Sequence, residues 1–338
     1  MRPALKDIAL ALLATAAFVG AAHAQASYPC ANDLPNPYHL VTNWAQMPRG
    51  WNPINAVTVD DKNNFWGVDR CETDDCKAVF EIGPDGKTMK NFGASLFIEP
   101  HQAAVDHDGN LWVADATPKN GKGLQVTKLS PDGRVLLKLG KPGVGQGSAA
   151  TDSFDSPTGV AVASNGDIFV AQGHGEKQNF SRILKFTKDG KLIKTFGEWG
   201  EGNGQIRSPH AIAVDSQDQL YVADRSNSRI DVFDKDGKFL AAWKQFGRPS
   251  GIAVDKNDML YVIDSQSSDN QGAANYNPGC KRGIRVGSTK DGKVTAYIPP
   301  PTPADPKWQP AIGVAVDKQG NIYAASDDQH NVVKWAKN

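Results

Sequence analysis

One short apolar pattern occurs six times in this chain, and its repetition restricts the fold more than any other feature. Each copy is a run of small and β-branched residues that ends in aspartate, except the third copy, which ends in alanine. The copies are Ala56–Asp60, Ala103–Asp106, Gly159–Ala163, Ala211–Asp215, Gly251–Asp255 and Gly313–Asp317. A unit that recurs at a spacing of roughly 40–60 residues is typical of a propeller or a solenoid.

Two hairpins in each repeat predict one four-stranded blade. The first hairpin joins the repeated run to an aromatic-apolar strand, and the second turns at an Asp-Gly pair, which is a strong hairpin signal between alternating apolar runs. These second turns are residues 84–87, 131–134, 188–191, 235–238 and 290–293. The last repeat ends at Trp335 without an outer strand, and the segment Tyr38–Trp44 can supply it. We therefore predict an all-β, six-bladed propeller over residues 25–338, with the ring closed by an N-terminal strand.

The first residues predict export. Arg2 and Lys6 precede the apolar stretch Ile8–Val19, which is too short to span a bilayer, and Ala22–Ala24 fits a cleavage site. Residues 1–24 are predicted to be a signal peptide, and the protein to be periplasmic or secreted, with no membrane span.

Lys plus Arg and Asp plus Glu are balanced at 37 each. This balance argues against a nucleic-acid partner, and the sequence leaves the oligomeric state open.

The four cysteines predict disulfides in an oxidising compartment. They are Cys30, Cys71, Cys76 and Cys280, and three connectivities are possible. The short loop between Cys71 and Cys76 favours that pair, together with Cys30–Cys280. A zinc–thiolate site is disfavoured, because the chain has no second closely spaced cysteine pair.

Two histidines occupy the same position of their repeats, five residues before the aspartate that ends each copy. His101 in the second repeat and His210 in the fourth each follow a proline. Because the first strands of all blades converge on the channel of a propeller, these side chains are predicted to approach one another. Alternate blades could supply three ligands to a metal, as in a catalytic zinc site, but the sixth repeat has Ile312 at this position. A hydrogen-bonded structural role for both histidines is the alternative.

Two arginines and a third histidine are predicted to lie on the same rim. Arg70 and Arg225 stand ten residues after the aspartates of repeats 1 and 4. His174 stands eleven residues after Ala163, the residue that takes the place of the aspartate in repeat 3. Arginine beside a metal suits recognition of a carboxylate through paired hydrogen bonds. The alternative for each arginine is an ion pair with an acid on a neighbouring blade.

Other candidate features lie in loops. The long excursion 265–283 contains Tyr276, Lys281 and Arg282, which are predicted to bind substrate, since long loops on a rigid scaffold often carry function. The segment Asp106–Asn110 is similar to the start of a calcium loop but lacks the distal glutamate. Calcium is therefore a second cofactor candidate beside zinc.

The repeats resemble NHL repeats. Residues 223–230, followed by Asp231–Asp234, are similar to that motif, and Ser156–Val162 matches the start of a blade. The resemblance covers residues 50–338. Because NHL propellers have many functions, the fold alone does not choose one.

Within this class the chain resembles the peptidyl-α-hydroxyglycine α-amidating lyases, which release a peptide amide and glyoxylate. Pro100–His101 and Pro209–His210 match two of the family's three Pro-His zinc ligands, and Arg225 and Arg70 match its arginines. The third Pro-His corresponds here to Pro310–Ala311–Ile312, and the family's tyrosine aligns near His174. The resemblance implies a zinc ion at His101 and His210, and arginines that hold the substrate carboxylate. His174 is the candidate general base. It is also a candidate replacement ligand, as are Asp327 and the loop 265–283.

These features favour a metal-dependent, amidating-lyase-like carbon–nitrogen lyase with a small-molecule or peptide substrate on one rim. The alternative is a non-catalytic propeller that binds a peptide or a protein there. A lactone-hydrolysing propeller with a calcium centre ranks below both, because Asn55 alone has the required type of side chain at the start of a first strand.

Overall fold

The computed structural model describes residues 30–145, 147, 150–174, 180–301, 311–326 and 328–338. Within these residues, six four-stranded antiparallel sheets surround a central channel, which confirms the predicted six-bladed propeller. The predicted signal peptide lies outside the described residues. The described residues include no helix that is long and apolar enough to cross a membrane.

The strands follow the repeats along the chain. Strand β1 (Tyr38–Val41) comes first and belongs to blade 6. Blade 1 consists of β2 (Ile54–Val59), β3 (Phe65–Asp69), β4 (Lys77–Ile82) and β5 (Thr88–Ala94). Blade 2 consists of β6 (Pro100–Val105), β7 (Leu111–Asp115), β8 (Gln125–Leu129) and β9 (Val135–Leu139). Blade 3 consists of β10 (Pro157–Val162), β11 (Ile168–Gln172), β12 (Arg182–Phe186) and β13 (Leu192–Phe196).

The second half repeats this order. A short parallel pair, β14 (Glu198–Trp199) and β15 (Gln205–Ile206), precedes blade 4. Blade 4 consists of β16 (Pro209–Val214), β17 (Leu220–Asp224), β18 (Arg229–Phe233) and β19 (Phe239–Trp243), with a 3-10 turn at Arg225–Asn227. Blade 5 consists of β20 (Pro249–Val254), β21 (Met259–Asp264), β22 (Gly283–Ser288) and β23 (Val294–Ile298). Blade 6 consists of β24 (Gly313–Val316), β25 (Ile322–Ser326), β26 (Asn331–Lys337) and β1.

The repeated aspartate has a local structural role. In blade 1, one carboxylate oxygen of Asp60 accepts hydrogen bonds from the backbone N–H groups of Lys62 and Asn64, both at 2.8 Å. Its other oxygen accepts a bond from the indole N–H of Trp66 at 3.0 Å. The carboxylate thus closes the turn and ties it to the second strand, which explains why the pattern recurs so regularly.

The hydrophobic core lies between neighbouring sheets. One cluster combines Trp66 and Val68 of blade 1 with Ala103 and Val113 of blade 2, and the other interfaces repeat this arrangement. Because no blade buries its faces alone, the blades stabilise one another around the ring.

The first strands of the six blades line a channel of about 230 Å³. Gln102 reaches across it from blade 2 to blade 4, where its amide donates to the Ile212 carbonyl at 2.7 Å and accepts from the Ile212 N–H at 3.0 Å. Blades 6 and 1 approach closely at Gly313, where an added Cβ would lie 1.9 Å from the Asn55 carbonyl oxygen. These contacts fix the inner ends of the blades, where the candidate site lies.

The N-terminal segment packs along the last blade. Strand β1 pairs antiparallel with β26, with Tyr38 opposite Lys337. The indole N–H of Trp44 donates to the Val332 carbonyl at 2.9 Å, and its ring packs edge-on against Phe65 of blade 1. The segment therefore contacts both the last blade and the first.

The cysteines form the predicted pairs, Cys30–Cys280 and Cys71–Cys76. The first joins the N-terminal segment to the long loop of blade 5, and the second closes the loop that follows Arg70. Two disulfides in one chain are typical of an oxidising compartment.

Candidate metal centre and arginine site

Three imidazoles meet at the end of the channel where the first strands of the blades begin, a face that we call the site rim. One nitrogen each of His101, His174 and His210 lies within 4.8 Å of the other two. The ring centroids of His101 and His210 are 4.4 Å apart, and His174 lies 5.2 Å from each. The predicted meeting of the two Pro-His residues is therefore observed, and His174 joins them.

The backbone explains how each ring reaches this point. His101 and His210 occupy the second positions of β6 and β16, and both side chains are buried. His174 follows β11 through Gly173, whose φ is +108° and where a Cβ would lie 2.4 Å from the Phe180 carbonyl oxygen. Glycine is therefore required at this bend, which directs His174 toward the channel.

Hydrogen bonds set the tautomers of two of the rings. His101 Nδ1 lies 2.9 Å from the Thr158 carbonyl oxygen, and His210 Nδ1 lies 3.0 Å from that of Ser250. Because a carbonyl only accepts, Nδ1 carries the proton in both rings, and in the neutral ring the lone pair is on Nε2. Donation of the second ring nitrogen to a carbonyl is typical of histidine ligands in metal sites.

Burial keeps all three imidazoles neutral at neutral pH. It lowers the pKa of His101 and His210 well below the usual value, and the neighbouring rings and Arg225 lower it further. For His174, burial, Arg225 and Arg70 lower the pKa to about 4. Neutral imidazoles are the form that binds a metal ion. His174 Nε2 accepts a hydrogen bond from Arg225, which it would have to release to offer that lone pair to a metal.

Both predicted arginines lie beside the imidazoles. Arg225 Nη2 is 3.4 Å from His174 Nε2. Arg70 forms an ion pair of 3.1 Å with Glu99, whose other oxygen accepts a 2.5 Å hydrogen bond from the Thr117 hydroxyl. Glu99 was not among the predicted residues, although it stands two residues before His101. It is the acid on a neighbouring blade that the alternative for Arg70 predicted.

Arg225 is held by a buried network in blade 4. Its carbonyl oxygen accepts a 2.6 Å hydrogen bond from Arg248, a buried residue of the next blade that was not among the predicted residues. The preceding residue, Asp224, is fully buried and accepts from Arg229 at 3.2 Å. The backbone at Arg225 is thus held by residues of blades 4 and 5.

The predicted substrate-binding loop lies on the site rim, but its described contacts lead away from the imidazoles. Lys281 Nζ pairs with Asp33 at 3.4 Å, and Arg282 donates to the Ser267 carbonyl at 3.3 Å. Tyr276 is 45% exposed. The loop begins near the imidazoles at Ser265, whose hydroxyl lies 2.5 Å from that of Ser250.

Two further features of the sequence analysis have a clear position. Asp106, at the start of the calcium-like loop, forms an ion pair of 2.9 Å with Lys128 and accepts from Trp112 at 3.0 Å. Ile312 lines the same small cavity as His101 and His210. Asp327 lies outside the described residues.

The donor set therefore fits a divalent metal of the zinc type. Three neutral imidazoles with one side left for substrate are a common catalytic zinc arrangement. They come from blades 2, 3 and 4 rather than from the alternate blades that ring symmetry suggests.

Comparisons with known proteins agree with the fold. The family model "NHL repeat" matches residues 207–233. Over 214 residues the chain is 30% identical to human NHL repeat-containing protein 3, covering 61% of this chain and 59% of that protein. It is also 30% identical over 226 residues to the peptidyl-alpha-hydroxyglycine alpha-amidating lyase 2 of Drosophila melanogaster, covering 59% of this chain and 52% of that one. The chain thus spans little more than half the length of these curated relatives.

A solved structure of a streptogramin B lyase superposes with a TM-score of 0.56 at 16% identity, covering 89% of this chain and 98% of that one. At this identity the likeness shows the fold alone. The six sheets show a six-bladed β-propeller, residues 207–233 match the NHL-repeat model, and the chain resembles the peptidyl-α-hydroxyglycine α-amidating lyases.

Proposed function

We propose that the protein is a metal-dependent lyase that breaks the carbon–nitrogen bond of a peptidyl-α-hydroxyglycine or a closely related carboxylate substrate. The observation that carries this proposal is the cluster of His101, His174 and His210 with Arg70 and Arg225 beside it. Similarity to relatives named amidating lyases supports the same reaction class.

The metal ligands in this proposal are the three imidazoles, with His174 replacing the ligand that blade 6 lacks. When bound there, a zinc ion would act as a Lewis acid and lower the proton affinity of the substrate hydroxyl. His174 was also the candidate general base. One of its ring nitrogens lies within 4.8 Å of a ring nitrogen of His101 and of His210, which favours the role of metal ligand over that of base.

Arg225 binds the substrate carboxylate in this proposal. Its guanidinium lies against the imidazoles, and planar, charge-assisted pairing with a carboxylate suits arginine. Arg70 has Glu99 as an acidic partner at 3.1 Å, so its charge is partly compensated already. Arg70 therefore stabilises negative charge that develops on the substrate oxygen rather than holding the carboxylate.

Glu99 moves the proton. In the overall reaction the hydroxyl oxygen becomes the aldehyde oxygen of glyoxylate, the carbon–nitrogen bond breaks, and the nitrogen leaves as an amide. A carboxylate oxygen of Glu99 accepts the hydroxyl proton and returns it to the departing nitrogen, so that no proton is gained or lost. The 2.5 Å hydrogen bond from Thr117 and the ion pair with Arg70 orient this carboxylate.

Metal content is the first test. We expect about one zinc per chain in protein purified without chelator, and loss of that zinc in the His101→Ala/His210→Ala double variant. His174→Ala should weaken zinc binding by more than the roughly 10–100-fold that loss of an outer-shell partner costs. His107→Ala is the matched control, because His107 is exposed in a turn, and it should keep the metal.

Turnover is the second test. We expect glyoxylate from an N-acyl-α-hydroxyglycine with the wild-type protein, and none from Glu99→Gln although that variant keeps its zinc. Absence of bound metal in the wild type, with all variants folded, would reject the lyase and leave a propeller that binds a peptide or protein on the site rim.

We also propose that the protein acts in the periplasm or outside the cell, which its two disulfides support.

A further inference from the structure

Blades 1 to 5 have a β-bulge at the start of the first strand, on the site rim. There the pairing of the first two strands is shifted, and one residue of the first strand is left out of it. A bulge re-aims the side chain and the backbone groups of such a residue. From blade 1 to blade 5, the bulge residues are Asn55, His101, Thr158, His210 and Ser250. Their polar groups can therefore bond to other blades.

Thr158, the bulge residue of blade 3, bonds to both blades that carry a Pro-His pair. Its carbonyl oxygen accepts the hydrogen bond from His101 Nδ1 of blade 2 at 2.9 Å. Its hydroxyl donates to the Pro209 carbonyl oxygen of blade 4 at 2.7 Å and lies 3.5 Å from the Ala171 carbonyl oxygen of its own blade. The shorter contact is the better hydrogen bond. Because Pro209 directly precedes His210, this one threonine ties the two histidine segments together.

The tie lies in the buried part of the site. Thr158 is 0% exposed, and the side chains of His101 and His210 are buried beside it. Water is excluded there and cannot take over a hydrogen bond whose partner moves away, so a satisfied buried network of this kind holds its members rigidly. The separation of the two imidazoles therefore depends on the length of the bond from the Thr158 hydroxyl.

Two neighbouring residues show what distinguishes Thr158. The Ser250 carbonyl oxygen accepts from His210 Nδ1, but the Ser250 hydroxyl pairs with the Ser265 hydroxyl instead of with a histidine segment. Gln102 links blades 2 and 4 deeper in the channel, at Ile212, two residues beyond His210. The contact made by Thr158 acts at the level of the imidazoles and on both of them.

We propose that Thr158 is a positioning residue, whose hydroxyl sets the separation of His101 and His210 and thereby the affinity of the site for a divalent metal ion. The proposal rests on the metal centre of the proposed function. Zinc–nitrogen bonds of about 2.0–2.1 Å leave little tolerance, and the groups of such a site have to be held within about 0.5 Å of their working positions. A residue that fixes two ligands relative to each other therefore controls binding without touching the metal.

Valine at this position removes the hydroxyl and keeps the shape of the side chain. A methyl carbon needs about 3.5 Å to a non-bonded atom, whereas the hydroxyl oxygen lies 2.7 Å from the Pro209 carbonyl oxygen. The methyl group should therefore push the Pro209–His210 segment away from His101 by several tenths of an ångström. Serine keeps the hydroxyl and should keep the spacing.

The test measures the dissociation constant of zinc by competition with a chromogenic chelator. We expect Thr158→Val to bind zinc at least about tenfold more weakly than the wild type, since partners that orient metal ligands typically contribute 10–100-fold to metal affinity. Thr158→Ser should bind zinc nearly as tightly as the wild type, because it retains the hydroxyl. This rescue by serine separates the hydrogen bond from the packing of the threonine methyl group.

Thr289→Val is the matched control. Thr289 is also buried, and its hydroxyl donates to a backbone carbonyl, that of Asp258, at 2.9 Å. It follows β22, at the face opposite the site rim. Thr289→Val therefore removes the same kind of hydrogen bond away from the imidazoles and should leave the zinc affinity unchanged. Wild-type affinity in Thr158→Val, equal weakening in Thr158→Ser, or equal weakening in Thr289→Val would overturn the proposal.

Failure of the proposed function is distinguishable. If the wild type binds no zinc, the metal centre is wrong, and the positioning role is tested in the metal-free protein by ¹H–¹⁵N NMR of the imidazoles. The Nδ1–H resonances of His101 and His210, assigned with the two single alanine variants, should both shift in Thr158→Val and stay in place in Thr289→Val. Such shifts would support Thr158 as the residue that positions the two rings. Resonances that stay in place in Thr158→Val would reject it.

Discussion

Replacement of Arg229 by methionine should lower the melting temperature of the protein by several degrees. Arg229 is 5% exposed, and its Nε lies 3.2 Å from Asp224 and 2.9 Å from Asp231, both fully buried. Its other nitrogens donate to three backbone carbonyls of the segment 201–205 at 2.6–2.8 Å. Methionine fills similar space but leaves two buried carboxylates without their cation.

The magnitude follows from these contacts. Removal of one partner of a buried ion pair costs about 3–5 kcal/mol. The entropy of unfolding of about 300 residues is roughly 0.6 kcal/mol/K, so we expect the Tm to fall by about 5–8 °C in scanning calorimetry. Arg134→Met is the matched control, because Arg134 is 73% exposed and pairs with an exposed Asp132. It should shift the Tm by about 1 °C or less.

The effect should depend on pH in a defined direction. Burial and the neighbouring Asp231 raise the pKa of Asp224, and burial raises that of Asp231. Groups with a raised pKa in the folded state stabilise it at low pH and lose that contribution as the pH rises through the folded pKa. Without Arg229 the two carboxylates depend more on protonation, so the Tm deficit should be larger at pH 8 than at pH 5. A variant that melts within about 1 °C of the wild type, or with a pH-independent deficit, would refute this reasoning.

Three further predictions concern stability. Gly313→Ala should cost at least about 2 kcal/mol by urea unfolding, because its Cβ would lie 1.9 Å from a backbone oxygen of blade 1, whereas Gly50→Ala, with nothing within 4 Å, should change little. Burial raises the pKa of Asp115 to about 6, so relative to Asp115→Asn the wild type should lose up to about 3 kcal/mol between pH 4 and pH 7; a constant difference would contradict this. The Cys30→Ser/Cys280→Ser double variant should lose about 2–5 kcal/mol, since that bond spans 250 residues, and an unchanged urea midpoint would show that this disulfide contributes nothing to global stability.

Much of the fold was predictable because the repeat encodes it locally. In the five repeats that end in aspartate, this residue closes the turn through bonds to residues two, four and six positions ahead, as Asp60 does with Lys62, Asn64 and Trp66. Such short-range bonds are visible as spacing in the sequence. The short loop that suggested the Cys71–Cys76 pair is local in the same sense.

The candidate site was only partly predictable, because its members meet across blades. Equal repeat offsets predicted that His101 and His210 meet. The position of His174 depends instead on the bend at Gly173, which no repeat offset encodes. Glu99 was missed for a related reason: its partner Arg70 is in another blade, and nothing in the local sequence marks the pair.

The use of three consecutive blades for the imidazoles has a consequence for the rest of the rim. Ligands from alternate blades would surround a metal evenly, whereas His101, His174 and His210 leave the sides of blades 5, 6 and 1 without an imidazole in the described residues. Arg225 and Arg70 then stand at opposite ends of the open side. The guanidinium of Arg225 near a bound cation opposes its binding, and a substrate carboxylate held by Arg225 offsets that repulsion. In the proposed site, cation and carboxylate substrate therefore strengthen each other's binding, and by linkage each does so by the same factor.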